Sequence, residues 1–271
     1  MGIVCGAISP HGGIVVPEAR DRTEQVAPKT RAAMEELGRR FAAARPETIF
    51  VITPHGISVD DAFAVSNAER AEGELGKFKQ DFEVDRELAR AIVATCRRDG
   101  VPAVLMSTRM SSDPNYGTRM PLDWGCTIPL HFMGASWEPK PKVVVASPSR
   151  QLSLQQQVAF GRAVAKAAAE TGRRVGYIAS TDLAHSHADG AYTYHPDAKP
   201  VDAYLQECFR SDNLLRLLDI DMAQVRNAKP DGIWQILTLA GAREVAPMRG
   251  EFLSYEQPSY FSMGCVAFAP A

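Results

Sequence analysis

The chain has 271 residues, 45% of them hydrophobic and 23% charged, with 20 glycines and 18 prolines. That composition is ordinary for a globular protein and leaves ample length for a closed core, expected as one domain over residues 1–271, with two domains as the alternative. A net charge of −2 with no basic run argues against nucleic acid or a membrane surface as partner and points to a small-molecule ligand.

Five scattered cysteines (Cys5, Cys96, Cys126, Cys208 and Cys265) show no CxxC spacing and are odd in number, so reduced thiols in or near the core are expected. The amino-terminal apolar run is broken by Pro10 and lacks a charged leader pattern. No apolar run reaches the roughly 18 residues of a membrane span, and a cytoplasmic protein is expected.

Taken in order, Ile3 to Gly13 (IVCGAISPHGG) reads as a buried strand that stops abruptly, leaving His11 at its carboxyl end. A helical pattern follows from about Val26 to Ala44. Glu47 to Gly56 (ETIFVITPHG) then repeats the design and places His55 after a second strand. Strand, helix, strand favours parallel pairing, so both histidines emerge on the sheet edge where open parallel sheets bind ligands. Strands lie about 4.8 Å apart and a His–metal bond is about 2.0–2.1 Å, so imidazoles on adjacent or next-but-one strands can share one ion. The plain alternative is two turn-capping histidines.

Asp61 to Asn67 reads as a short strand, followed by a polar segment to about Asp85. Arg86 to Arg98 has helical spacing and stops at Asp99-Gly100, and Val104 to Ser107 reads as another strand. Ser107 to Asp123 has no period and reads as a rim or lid over the site, with Arg109, Tyr116 and Arg119 able to hold an anionic or aromatic group; a solvated loop is the alternative. His131, among apolar neighbours in Cys126 to Phe132, reads as structural. Lys142 to Ser147 is a strand, Leu152 to Glu170 a helix, and Arg174 to Thr181 a strand running into DLAHSHADG. A third strand thus ends in histidines on the same edge, with His185 favoured over His187 as a functional residue and His195 read as a turn residue. Val201 to Ala242 reads as three helical pieces, with Asp231 placed like an N-cap before the last. Two β-like runs around Pro258 close the chain. The expected fold is α/β: a mostly parallel central sheet with helices on both faces and an antiparallel C-terminal strand pair at its edge.

Six segments in this order, SPHGG, TPHG, DWGCTIPL, STDLAHSH, AKPDG and SYEQPSYFSMGCVAF, cover nearly the whole length. In their order and spacing the chain resembles the class III extradiol dioxygenases, the catalytic subunits of the protocatechuate 4,5-dioxygenase type, whose superfamily includes the MEMO-like proteins. The resemblance implies a non-haem iron(II) on His11 and His55, with His185 as the acid/base of ring cleavage. The third ligand is a Glu ahead of a helix in the dioxygenases and a Cys in MEMO-like proteins. Lys-Pro-Asp-Gly stands at that place here, so the role passes to Asp231, with Glu251 and Glu256 as fallback carboxylates. The Asp-His-Gly that faces substrate in the dioxygenases is Asp123-Trp124-Gly125 here, and Trp124 is expected at the substrate with Arg119 and Tyr116.

Two imidazoles and a carboxylate leave open positions on one face of a metal, as in iron(II) enzymes that bind substrate and O₂ side by side. The expected cofactor is Fe(II), with Zn, Mn and Cu open to the same donors. The expected partners are a catecholic or aminophenolic small molecule, O₂ and further copies of the chain in a homo-oligomer. Asp182 or Ser180 is expected to orient His185. Two readings compete: a MEMO-like metal-binding protein without ring cleavage, acting as an assembly partner, and a zinc hydrolase on the same ligands.

Overall fold

A computed structural model describes residues 1–108, 113 and 117–271. The main sheet has eight strands: β1 (Gly2–Ser9), β2 (Thr48–Ile52), β3 (Phe63–Ser66), β6 (Ala103–Met106), β8 (Lys142–Ser147), β9 (Arg174–Ser180), β10 (Met248–Glu256) and β11 (Met263–Pro270). A small second sheet holds β4 (Arg70–Leu75), β5 (Phe78–Glu83) and β7 (Arg119–Pro121). The helices are α1 (Pro28–Ala44), α2 (Arg86–Arg98), α3 (Trp124–Phe132), α4 (Leu154–Glu170), α5 (Ala198–Arg210), α6 (Met222–Ala228) and α7 (Ile233–Val245).

The main sheet runs β10-β11-β1-β9-β2-β8-β3-β6. Its centre, β1, β9, β2 and β8, is parallel, while β11 is antiparallel to β1, β10 to β11, and β3 to β8. The connection β1-α1-β2 travels one way along this order and β8-α4-β9 the other. Right-handed crossovers in opposite directions put their helices on opposite faces, which opens a crevice where the direction switches.

Strand alternation shows the two faces directly. Ile49 and Val51 of β2 pack with Met34, Leu37 and Phe41 of α1 and Ile128 of α3. Phe50 and Ile52, one residue out of phase, pack with Leu88 of α2, Phe160 and Val164 of α4 and Ile236 of α7. All five cysteines are buried and unpaired. On the second face α4 and α7 touch backbone to backbone: a Cβ on Gly161 would lie 1.7 Å from the Thr238 carbonyl oxygen, and one on Gly241 1.9 Å from that of Val158. Among the described residues no helix is long and apolar enough to cross a membrane.

Several elements differ from the sequence reading, among them helix α3, to which it assigns no structure. The polar stretch before Asp85 is the β4–β5 hairpin, paired from Arg70 with Glu83 to Leu75 with Phe78. Ser107 to Asp123 is not lid-like throughout, because Arg119–Pro121 adds to β4 as β7. The middle helical piece is a 3-10 turn, Leu214–Asp219, followed by α6, whose N-cap Asp221 accepts from Ala223 and Gln224 N–H groups.

Candidate metal centre

Three parallel strands deliver the site. Ser9 of β1 lies opposite Ser180 of β9, and Ile52 of β2 opposite Ala179, so the three carboxyl ends are level. His11, Asp182 and His55 follow within three residues of those ends. β1 and β2 flank β9, the next-but-one arrangement. Asp231 arrives from the loop just before α7: a Cβ at Gly232 would sit 2.3 Å from Thr181 Cβ, so only glycine lets the chain pass this close to the end of β9.

The donor atoms form a compact triangle. His11 Nε2 lies 3.1 Å from His55 Nε2 and 3.0 Å from Asp231 Oδ2, and His55 Nε2 lies 3.4 Å from Asp231 Oδ2. Two donors each about 2.1 Å from one ion and at right angles to each other stand about 3.0 Å apart, so these spacings fit a single small cation. His11 and Asp231 are buried and His55 half-buried.

Hydrogen bonding fixes the tautomer of His11. The Ser180 hydroxyl donates to the Gly125 carbonyl, so Ser180 Oγ accepts from His11 Nδ1–H at 2.9 Å. The lone pair of neutral His11 is therefore on Nε2, aimed at a carboxylate oxygen and at a second imidazole. With His55 Nε2 also unprotonated, three electron-rich atoms would face one another, and a proton or a metal cation between them relieves the repulsion. In the metal-free state the proton serves: burial disfavours a charged imidazole, but Asp182 and then Asp231 outweigh it and push His11 up to about 9. The counterpart holds for Asp231, which burial would raise but which His11 and the hydrogen bonds from both imidazoles keep well below the usual carboxylate range.

The surrounding groups lock this geometry. Asp231 Oδ1 accepts the Asp182 N–H at 2.8 Å, and Asp182 Oδ1 accepts the His11 N–H at 3.0 Å. Burial raises the Asp182 carboxyl despite His11 beside it. Asp231 does not cap α7, whose N-cap is Gly232 with no side-chain hydrogen bond, so the carboxylate is directed to the site instead. Neither Ser180 nor Asp182 orients His185, since both serve His11. His185 is oriented by its own loop, Nδ1–H donating to the Leu183 carbonyl at 2.8 Å, which leaves its Nε2 lone pair available.

A second buried network holds that loop. Asp202 of α5 accepts from Ala184 N–H, His187 Nε2–H and the hydroxyls of Tyr255 and Ser262. His187 is thereby structural. Sequence reasoning missed Asp202, because an acidic residue in an amphipathic helix gives no sign that it faces inward.

A cavity of about 550 Å³ opens over the triad, lined by His11, His55 and Asp182, by aromatic Trp124, Tyr192, Tyr260 and Phe261, and by His185. His185 stacks on Phe261 with centroids 5.7 Å apart. The exposed Arg20 and Arg22 reach the cavity mouth from the turns after His11; they too were missed, since nothing in that polar stretch distinguishes them from surface arginines.

The structure thus brings together His11, His55 and Asp231, and both His185 and Trp124 line the cavity beside them. Arg119 lies elsewhere, on β7 with Glu72 at 2.7 Å, and is not among the described residues lining the cavity. Tyr116 and Arg109 fall outside the described residues. Glu251 pairs with Arg40, and Glu256 accepts from Thr30 in the first turn of α1, so neither fallback carboxylate joins the cluster. His131 sits between the rings of Phe78 and Phe132, away from the triad.

Comparison with known proteins adds an independent line. The family model for the catalytic LigB subunit of aromatic ring-opening dioxygenase matches residues 6–266. Protein CA_C1420 of Clostridium acetobutylicum is 30% identical over 253 residues, covering 91% of this chain and 53% of that protein. The 2,3-dihydroxyphenylpropionate/2,3-dihydroxicinnamic acid 1,2-dioxygenase 1 of Pseudomonas putida is 28% identical over 191 residues, 67% of this chain and 55% of the other. The 2-aminophenol 1,6-dioxygenase beta subunit of Pseudomonas sp is 26% identical over 206 residues, 68% and 63% of the two chains. The chain therefore spans between about half and two thirds of the length of these relatives. The crystal structure of uncharacterized protein JW3007 from Escherichia coli K12 shares the fold, with a TM-score of 0.64 at 16% identity over 97% of this chain and 99% of that one.

Proposed function

From the premise that the chain belongs to the family of catalytic LigB subunits of aromatic ring-opening dioxygenases, we propose that it is an iron(II)-dependent extradiol dioxygenase acting on a catecholic or aminophenolic ring. The observation that carries this reading is the convergence of His11 Nε2, His55 Nε2 and Asp231 Oδ2 within 3.4 Å of one another, with both histidines lining an aromatic-walled cavity. Two imidazoles and one carboxylate on a single face are the donor set of non-haem iron(II) oxygenases. These residues would hold the iron, which supplies joint binding and activation of the diol and O₂.

The chain's own groups do the rest. His185, with Nδ1–H committed to the Leu183 carbonyl, presents Nε2 as the base that takes a proton from the ring hydroxyl and returns it as the ring opens. The His185–Phe261 stack, Tyr260, Tyr192 and Trp124 form flat apolar walls that orient an aromatic ring and exclude water. The cavity falls within the usual range of about 300–1,000 Å³ for small-molecule sites, so it has room for a ring bearing a substituent. Both atoms of O₂ enter the product, a ring-opened semialdehyde, and no external reductant is consumed.

The test is anaerobic loading with Fe(II), then oxygen uptake and the search for a yellow ring-opened product across a panel of catechols and 2-aminophenols. Oxygen consumption stoichiometric with diol supports the reading. Tight iron binding with no oxygen uptake on any member refutes it and favours a MEMO-like metal-binding role, whereas ester or amide hydrolysis by the zinc form favours a hydrolase.

A further inference from the structure

The two imidazoles of the triad are held in place by different means. His11 has its Nδ1–H bonded to Ser180, and burial removes its remaining freedom. His55 has no such tether: no described residue hydrogen-bonds its Nδ1, and 26% of its side chain is exposed. Ligating histidines ordinarily owe their ring orientation to a hydrogen bond on the second nitrogen. Here an indole occupies that role by packing, with the Trp124 ring stacked on the His55 ring at a centroid distance of 4.2 Å and an interplanar angle of 29°.

Trp124 is otherwise hard to account for. It is 55% exposed at the first position of α3, where the core gains little from a large aromatic. Its neighbours complete the arrangement. Asp123 Oδ1 accepts from Thr53 Oγ1 at 2.8 Å, the same Thr53 oxygen accepts the His55 N–H at 3.3 Å, and the Gly125 carbonyl ends the chain from His11 through Ser180. The Asp123-Trp124-Gly125 turn therefore reaches the His11 imidazole through Ser180 and the His55 imidazole directly, by stacking. Gly125 is required for this approach, because a Cβ there would lie 2.4 Å from Thr53 Oγ1.

We infer that Trp124 is a positioning residue for metal binding, clamping the His55 imidazole through the ring face rather than acting only as a wall for substrate. The inference rests on the triad being the metal site, and it is tested without turnover. Co(II) and Zn(II) affinities are measured by competition with a chromophoric chelator for the wild type and for Trp124→Ala, Trp124→Leu and Trp124→Phe, with Co(II) visible spectra and thermal melts of the metal-free proteins. Loss of an outer-shell contact typically weakens metal binding about 10–100-fold, the loss expected for Ala and Leu, while Phe keeps the stacking face and stays within about threefold of wild type. The Co(II) bands of the Ala and Leu variants should shift, while the metal-free melts stay close to wild type as for an exposed site. Wild-type affinity in the Ala and Leu variants overturns the clamp and leaves the metal site standing. An equal loss in the Phe variant overturns stacking as its cause, and a wild-type protein that binds neither ion overturns both readings.

Discussion

Ser180→Ala is the most discriminating single change at this site, because it removes one oxygen and leaves every metal donor in place. Ser180 is fully buried; its Oγ accepts the His11 Nδ1–H at 2.9 Å and donates to the Gly125 carbonyl. Without it a buried N–H and a buried C=O each lose a partner, at a cost of about 1–3 kcal/mol per group. At 1.4 kcal/mol per tenfold, the cost of one such group corresponds to about 5–150-fold in an equilibrium constant, which overlaps the 10–100-fold seen for outer-shell partners of metal ligands. Part of the cost falls on folding. The rest falls on metal binding, because in the metal-bound form the proton that stays on Nδ1 has lost its acceptor and the ring its tether, so Nε2 is no longer held toward the ion. The assay is paired: urea unfolding of the metal-free protein and Zn(II) affinity by chelator competition at one pH. Both should fall, within those ranges. A variant that binds zinc within about twofold of wild type and unfolds at the same urea concentration would refute the tether argument, and with it the claim that Ser180 makes His11 a ligand.

Other outcomes follow from the same geometry. Replacing Asp231 by Asn keeps the shape but removes the negative charge on Oδ2, so metal content after dialysis should drop to near background; unchanged content would move the third donor elsewhere. His185→Gln should retain full metal content and lose about 10²–10⁴ in turnover, as expected for a general acid/base, and retained turnover would remove it from the chemistry. Because metal-free His11 keeps its proton up to about pH 9, metal binding at pH 7 should release close to one proton, with apparent affinity falling about tenfold per unit as pH is lowered below 9. Calorimetry in buffers of different ionisation enthalpy measures that release, and a value near zero would contradict the assigned protonation. Asp202→Ala leaves His187, Tyr255, Ser262 and the Ala184 N–H without their shared acceptor, and urea unfolding should show a loss of about 3–5 kcal/mol.

Residues close in sequence to a strand end declared themselves; those arriving from elsewhere did not. His11 and His55 were legible because an apolar β-branched run closed by Pro-His-Gly can place its histidine only beyond the strand, and the intervening helix forces the two strands parallel. The helix α3 went unread because Cys126–Leu130 is buried on all sides and Pro129 interrupts it, which erases the 3.6-residue period. The β4–β5 hairpin went unread beneath its charged residues, although the two residues Gly76-Lys77 between Leu75 and Phe78 are the spacing of a tight hairpin loop. Asp231 looked like an N-cap by position, yet the N-cap of α7 is Gly232, without a side-chain cap bond, and the carboxylate crosses to the end of β9.

The sequence by itself determined the α/β layering, the parallel centre of the sheet and the edge on which histidines gather, since these depend on local periodicity, turn residues and the handedness of crossovers. Only the tertiary structure decided that Ser180 serves His11 and not His185, that Asp202 is a buried acceptor, that Arg119 pairs with Glu72 away from the cavity, and that an exposed indole lies on His55. Each of these is a contact between residues distant along the chain. Such contacts are fixed by how helices and strands pack in three dimensions, a relation that no short-range pattern encodes.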